Sequence, residues 1–188
     1  MPKPSYYVGI DPSLTATGYA VLDPRGGLVT SGVLKPKKLS GAQRLAWLRD
    51  ATAAILPPGF LLTAVEGYAM GAIGKTYHIG EWGGVLRLSL MESRRTGVLD
   101  VPPTNLKQYA TGNGAAGKPV MIARAQHLHG VTPKDDNEAD ALHLARLALD
   151  WDQGTELTGG HAAGIKKVSV YLPKPYPAEA IRVRTKKV

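Results

Sequence analysis

Four acidic residues stand where carboxylates could gather a metal ion. Asp11 ends the apolar run YYVGI (residues 6–10), and Glu66 ends the apolar run LLTAV (residues 61–65). Short apolar runs read as buried strands. A carboxylate at the C-terminal end of such a strand lies at the sheet rim, where open sheets usually place their ligand sites. Asp136 and Asp140 are four residues apart in a segment of helical character, so they share one helix face. Two like charges on one face disfavour the helix unless a cation or a capping role offsets them. Hard oxygen donors drawn from two strands and a helix, in a chain with no cysteine, suit Mg²⁺ or Mn²⁺. Two such ions about 3.5–4 Å apart can activate a water and stabilise the leaving oxygen in phosphodiester cleavage. The same residues also have structural readings. Asp11 before Pro12 can simply start a turn, Asp135 and Asp136 can cap a helix, and Glu66 before Gly67 can be a solvated strand end. Spacing alone leaves both readings open.

The elements that must position these groups follow from pattern. After the first strand, residues 18–22 and 28–34 read as two further strands joined through the turn Asp23-Pro24-Arg25-Gly26-Gly27, an antiparallel meander. Ser40 and Gln43 match a capping box ahead of Leu45, Leu48, Thr52 and Ile55 at helical spacing, and Pro57-Pro58-Gly59 stops that helix. Residues 75–93 read as a helix carrying the apolar stripe Ile79, Trp82, Leu86 and Leu90, which suits core and subunit interface alike. Residues 97–101 read as a strand stopped by Pro102-Pro103, and Thr104 as the cap of a short helix reaching Tyr109. A glycine-rich loop, residues 111–117, precedes a helix over 118–129 with Pro119 in its first turn, where proline is tolerated. Asp135 or Asp136 caps a last helix to about Leu149. The order β-β-β-α-β-α-β-α-α is a mixed α/β layout. Residues 151–188 differ in composition, and residues 168–172 within them could form a strand.

Composition limits the function classes. The chain has 188 residues, 44% of them apolar and 20% charged, enough for one compact domain with a real core. No stretch approaches the roughly 20 apolar residues of a membrane span, and the N-terminus lacks a signal-peptide core, so a cytoplasmic protein with no membrane partner is expected. Net charge is +8. Residues 165–188 hold seven Lys/Arg and one acid, Glu179. That basic tail reads as a phosphate-binding arm or as a solubilising extension. The segment from Gly112 to Lys118 lacks P-loop spacing, because Lys118 is followed by Pro119, so no nucleotide cofactor is expected. A glycine-rich loop before a helix can still approach a DNA phosphate.

The segment Gly9-Ile10-Asp11-Pro12-Ser13-Leu14-Thr15-Ala16-Thr17-Gly18 resembles the opening motif of the RuvC family of Holliday-junction resolvases, G-[IL]-D-P-[GS]-…-TG. Val65-Glu66-Gly67-Tyr68 resembles that family's second acidic motif. Pro103 to Lys107, with Gly112-Asn113-Gly114 and Lys118, resembles its segment of two basic residues, and Asp136 to Leu142 resembles its last acidic helix. The four occur in order over residues 7–147, in a variant most like phage-type members. The resemblance implies an RNase H-like fold with a five-stranded mixed sheet flanked by helices. It divides the chain into a nuclease domain, 1–150, and a basic C-terminal extension, 151–188. It implies a homodimer that cuts opposing strands of a four-way junction, in host cytoplasm for a phage-encoded chain. Asp11, Glu66 and Asp140 would be metal ligands for two Mg²⁺ per site, with Mn²⁺ able to substitute. Lys107 and Lys118 would act at the scissile phosphate or DNA backbone.

Two departures from the family pattern matter. The fourth ligand usually stands three residues before the last Asp; here that position is Asn137, and Asp136, one residue earlier, reaches the same face and is the expected ligand. The aromatic expected to stack on an opened base is represented by Tyr68, two rather than three residues after Glu66, which equally suits packing. His143, three residues after Asp140, reads as a core-edge or surface histidine that could also reach a metal. The leading expectation is a structure-selective endodeoxyribonuclease. The alternatives are a broader branched-DNA or RNA–DNA hybrid nuclease, and a non-catalytic junction-binding module.

Overall fold

The computed structural model describes residues 3–68, 76–93, 95–166 and 168–172, without the side chains of residues 76–79. Three strands open the chain, β1 (Tyr6–Asp11), β2 (Thr17–Leu22) and β3 (Leu28–Leu34), followed by α1 (Gly41–Ile55), β4 (Leu61–Glu66), α2 (Thr76–Glu92) and β5 (Thr96–Val101). Then come α3 (Pro103–Thr111), α4 (Lys118–His129), α5 (Asp136–Gln153), α6 (Gly159–Ile165) and β6 (Ser169–Tyr171). The sheet order is β3-β2-β1-β4-β5-β6. The meander β1–β2–β3 is antiparallel, as the turn at residues 23–27 requires, while β1–β4 and β4–β5 are parallel and β5–β6 antiparallel.

The period of two along each strand divides the core between the two faces of the sheet. Val8, Ile10, Val21, Leu61, Val65 and Val98 pack against Leu48 of α1 and Trp82, Leu86 and Leu90 of α2. The alternate positions Tyr7, Ala20, Leu22, Leu62, Ala64 and Leu99 pack under α3, α4 and α5. The stripe on α2 is therefore core at Trp82, Leu86 and Leu90; Ile79's side chain lies outside the described residues. Both strands that carry expected acids continue their alternation: Asp11 falls on the Tyr7 and Gly9 face, and Glu66 on the Leu62 and Ala64 face.

Two glycines bring α5 onto that face. A Cβ at Gly9 would stand 2.0 Å from the Ala141 carbonyl oxygen and 2.4 Å from the Ala145 nitrogen. A Cβ at Gly18 would stand 2.0 Å from the Asn137 carbonyl oxygen. No other residue type permits this approach, and the small Ala141 and Ala145 complete it from the helix side. Asp135 caps α5, its carboxylate accepting from the Glu138 backbone N–H at 3.1 Å.

Three sequence expectations are corrected. The sheet has six strands rather than five. The sixth, β6, falls within residues 168–172, where the sequence allowed a strand; it is short and exposed along its whole length, and it joins the sheet because the edge of β5 offers unpaired backbone groups. Ser40 occupies the N-cap of α1 but makes no side-chain cap bond. The helix α3 starts at Pro103 after Pro102, not at a Thr104 cap. α6, not expected from the sequence, packs on α3, where Asn105 donates to the Gly164 carbonyl at 3.1 Å. The remainder of the basic tail, residues 173–188, lies outside the described residues.

Candidate active site

Asp11 and Glu66 end adjacent parallel strands one step beyond the Ile10–Val65 pair. Asp11 is 7% exposed. The two carboxyls lie within hydrogen-bonding reach of one another, so their negative charges crowd each other at the sheet rim. Burial, then the charges of Glu66 and Asp140, push Asp11 well above the ordinary carboxylate range. Burial also raises Glu66, opposed by the hydrogen bond from Asp11 and by the positive charge of Lys107.

The first turns of α5 supply the other two acids. Asp11 lies opposite Gly18 in the β1–β2 pairing, and the close approach of Gly18 to Asn137 puts the start of α5 above Asp11. Burial, with Glu66 and Asp136 as neighbours, lifts Asp140 to about 7, against the lowering effects of Lys107 and Lys118. Its Oδ1 is buried and has no hydrogen-bond partner among the described residues. Asp136, further out, is held below the ordinary carboxylate range by Lys118, whose Nζ lies 2.5 Å from Asp136 Oδ2.

The structure thus brings Asp11, Glu66, Asp136, Asp140, Lys107 and Lys118 into one electrostatic neighbourhood. Among the described residues, no three His, Cys, Asp or Glu side chains already stand in metal-ligating geometry. The chemistry of the set nonetheless fits a hard divalent cation. Among the described residues a buried carboxylate oxygen lacks a partner, two carboxyls crowd one another at the sheet rim, and every donor is oxygen. An ion there would offset the crowded negative charge and satisfy the orphaned oxygen.

The remaining expected residues fall as follows. Tyr68 is 37% exposed, with the Arg87 guanidinium 4.9 Å from its ring centroid. Arg87 also donates to the Glu66 carbonyl at 3.0 Å and forms an ion pair with Asp100. It was not anticipated, because no spacing in the sequence connects residue 87 with residues 66, 68 and 100. His143 is fully buried. Its Nε2 stands 3.0 Å from the Met121 carbonyl of α4, and burial lowers its pKa to about 4. It belongs to the α4–α5 contact, deeper than a core-edge or surface position.

Trp82 was read only as apolar. Its indole N–H donates to Thr17 Oγ1 at 3.0 Å, and the Thr17 hydroxyl donates to the Ser13 carbonyl at 2.6 Å. The Ser13 N–H returns a bond to Thr17 Oγ1 at 3.2 Å. One hydroxyl donating once and accepting twice ties down the loop that leaves Asp11.

Comparison with known proteins gives the family of the chain. The family model "Crossover junction endodeoxyribonuclease RuvC" matches residues 7–147. The crossover junction endodeoxyribonuclease RuvC of Anaeromyxobacter dehalogenans (strain 2CP-1) is 38% identical over 154 residues, covering 76% of this chain and 82% of that relative. The protein of the same name from Synechococcus sp. (strain CC9311) is 31% identical over 151 residues, covering 73% of this chain and 94% of that relative. Among solved structures, Thermus thermophilus RuvC superposes with a TM-score of 0.64 at 25% identity, covering 79% of this chain and 96% of that one. T. thermophilus RuvC in complex with a Holliday junction substrate shares the fold, with a TM-score of 0.62 at 22% identity over 79% of this chain and 97% of that one. These relatives are bacterial, and the phage-type affinity expected from the sequence is not borne out. With a family model covering residues 7–147 and relatives of this identity and coverage, the chain belongs to the RuvC family of crossover junction endodeoxyribonucleases.

Proposed function

We propose that this protein resolves four-way DNA junctions by paired, metal-dependent nicks. The observation that carries the reading is the buried Oδ1 of Asp140, without a partner among the described residues, beside the crowded carboxyls of Asp11 and Glu66. Asp11, Glu66, Asp140 and Asp136 would hold the metal, which we take to be two Mg²⁺, with Mn²⁺ able to substitute. Bound there, the metal supplies an activated water for in-line attack and stabilises the leaving oxygen.

The chain's own residues do the rest. The carboxylates hold their oxygens rigidly, because Asp11 and Glu66 end core strands and Asp140 lies on a helix locked against Gly9. Lys107 and Lys118 offset charge on the phosphate. Arg87 covers one face of the Tyr68 ring, leaving a partly exposed aromatic that can stack on an opened base, worth about 1–3 kcal/mol per base. Phosphate contacts dominate affinity, so binding falls steeply with salt, and junction shape rather than base edges sets specificity.

The protein acts as a homodimer, since paired nicks in opposing strands need two such sites. Residues 1–150 form the nuclease domain. Residues 151–188 form its basic extension, of which α6 and β6 pack back on α3 and β5. No helix among the described residues is long and apolar enough to cross a membrane; a cytoplasmic site of action is part of the proposal, since a four-way DNA junction is met there. Asn137 is a substitute ligand to Asp136 through its amide oxygen.

The experiment is a labelled synthetic four-way junction incubated with Mg²⁺ or EDTA, alongside Asp11→Asn. Paired nicks that require Mg²⁺ and vanish in the variant, with junction binding retained, are expected. Tight binding without cutting under either Mg²⁺ or Mn²⁺ would overturn the catalytic reading in favour of a junction-binding module. A cleavage panel with flaps, Y-branches and RNA–DNA hybrid measures the breadth of substrates.

A further inference from the structure

Lys118 is the first residue of α4, after the N-cap Gly117. A cation is poorly placed at a helix N-terminus, where the helix dipole presents positive charge. The attraction that holds this one comes from a different helix: Lys118 Nζ lies 2.5 Å from Asp136 Oδ2 in the first turn of α5. The pair sits at the mouth of the carboxylate cluster, its lysine side chain 75% exposed and its aspartate 32% exposed. Asp140 and Asp11 are within the ammonium's electrostatic reach. Inside the mouth, Asp140 Oδ1 has no partner among the described residues. The cluster is thus acidic throughout and neutralised by direct ion pairing at its outermost carboxylate.

We infer that Lys118 is a resident counter-ion that an incoming metal must displace from Asp136. This rests on the metal-site reading above. Asp136 Oδ2 cannot give its lone pairs both to the ammonium and to a divalent ion at full strength, so the two cations compete for one oxygen. Opening the pair is easy, because exposed ion pairs are weak. Lys118 therefore tunes affinity rather than blocking the site. Once displaced, its ammonium stands at the end of the glycine-rich segment 112–117, free to meet a phosphate. Lys118 thereby lowers metal affinity in the DNA-free protein, although the same residue serves the cutting reaction.

The test is Mn²⁺ binding to the full-length, DNA-free protein, read from the electron paramagnetic resonance signal of free Mn²⁺. The variants are Lys118→Met, Asp136→Asn, the double variant and Asp11→Asn. Lys118→Met is expected to tighten Mn²⁺ by about two- to five-fold, the size of an exposed ion pair. In the Asp136→Asn background the same change should give less than half that gain. No tightening, or weaker binding, overturns the inference. Equal tightening in both backgrounds also overturns it, since Lys118 would then act only as a distant positive charge. Asp11→Asn separates the two levels: if it binds Mn²⁺ as the unaltered protein does, the metal-site reading itself fails, whatever Lys118 does.

Discussion

Asp140→Asn should stabilise the metal-free protein while abolishing cutting. In the unfolded chain Asp140 ionises near its ordinary value of 3.8, and in the fold only near 7. Below the first value both states hold the proton and the group contributes nothing. Between the two, the unfolded state is ionised while the fold retains the proton, so stability falls as pH rises, by about 1.4 kcal/mol per pH unit. Above about 7 the penalty is constant, with an upper bound of about 4 kcal/mol. The side chain is half-buried rather than sealed, and water reaching it brings the expected gain of the variant to about 1–3 kcal/mol at pH 8. Urea unfolding in EDTA between pH 4 and pH 8 measures it. The two proteins should be close to equally stable near pH 4 and diverge up to pH 7. Adding Mg²⁺ at about 1,000 times its dissociation constant should reverse the order, because ligand binding stabilises the wild type by about 4.1 kcal/mol and the variant by much less. A variant that is less stable at pH 8, or a difference that does not change with pH, would refute the account of Asp140 as a strained, cation-seeking carboxylate.

Three further outcomes follow from the packing. His143 stays neutral in the fold down to about pH 4, whereas in the unfolded chain it takes up a proton from about 6.5. Relative to His143→Gln, the wild type should therefore lose about 1.4 kcal/mol per pH unit as pH falls between those values, and parallel urea profiles would rule this out. Gly9→Ala places a methyl 2.0 Å from a helix carbonyl; it should cost about 3 kcal/mol or more and cutting activity together, and a melt within 0.5 kcal/mol of wild type, on the order of a neutral surface change, would show that α5 does not depend on this approach. Trp82→Phe removes the indole donor to Thr17 and part of the ring, which should lower stability by about 1–3 kcal/mol and slow cutting more than it weakens junction binding. Equal cutting rates would mean the loop after Asp11 does not need that brace.

The sequence by itself determined the elements and most of the acids. The apolar runs at residues 6–10 and 61–65 identified two buried strands and left an acid at the end of each. The spacing of Asp136 and Asp140 put both on one helix face. These signals are local, since each depends on residues within a turn or a strand of one another. Tertiary structure alone decided that the acids meet. That meeting rests on the parallel pairing of β1 with β4 and on Gly9 and Gly18 admitting α5, and neither glycine shows its role until the helix lies against it. The same holds for His143, whose burial depends on α4, and for Arg87, whose partners at 66, 68 and 100 are separated in the chain. It holds in part for β6: a strand at residues 168–172 was allowed by the sequence, but its place on the free edge of β5 belongs to the fold. It holds for Lys118 as well. Its charge is visible in the sequence, but its attachment to Asp136 exists only where the starts of two helices are brought together.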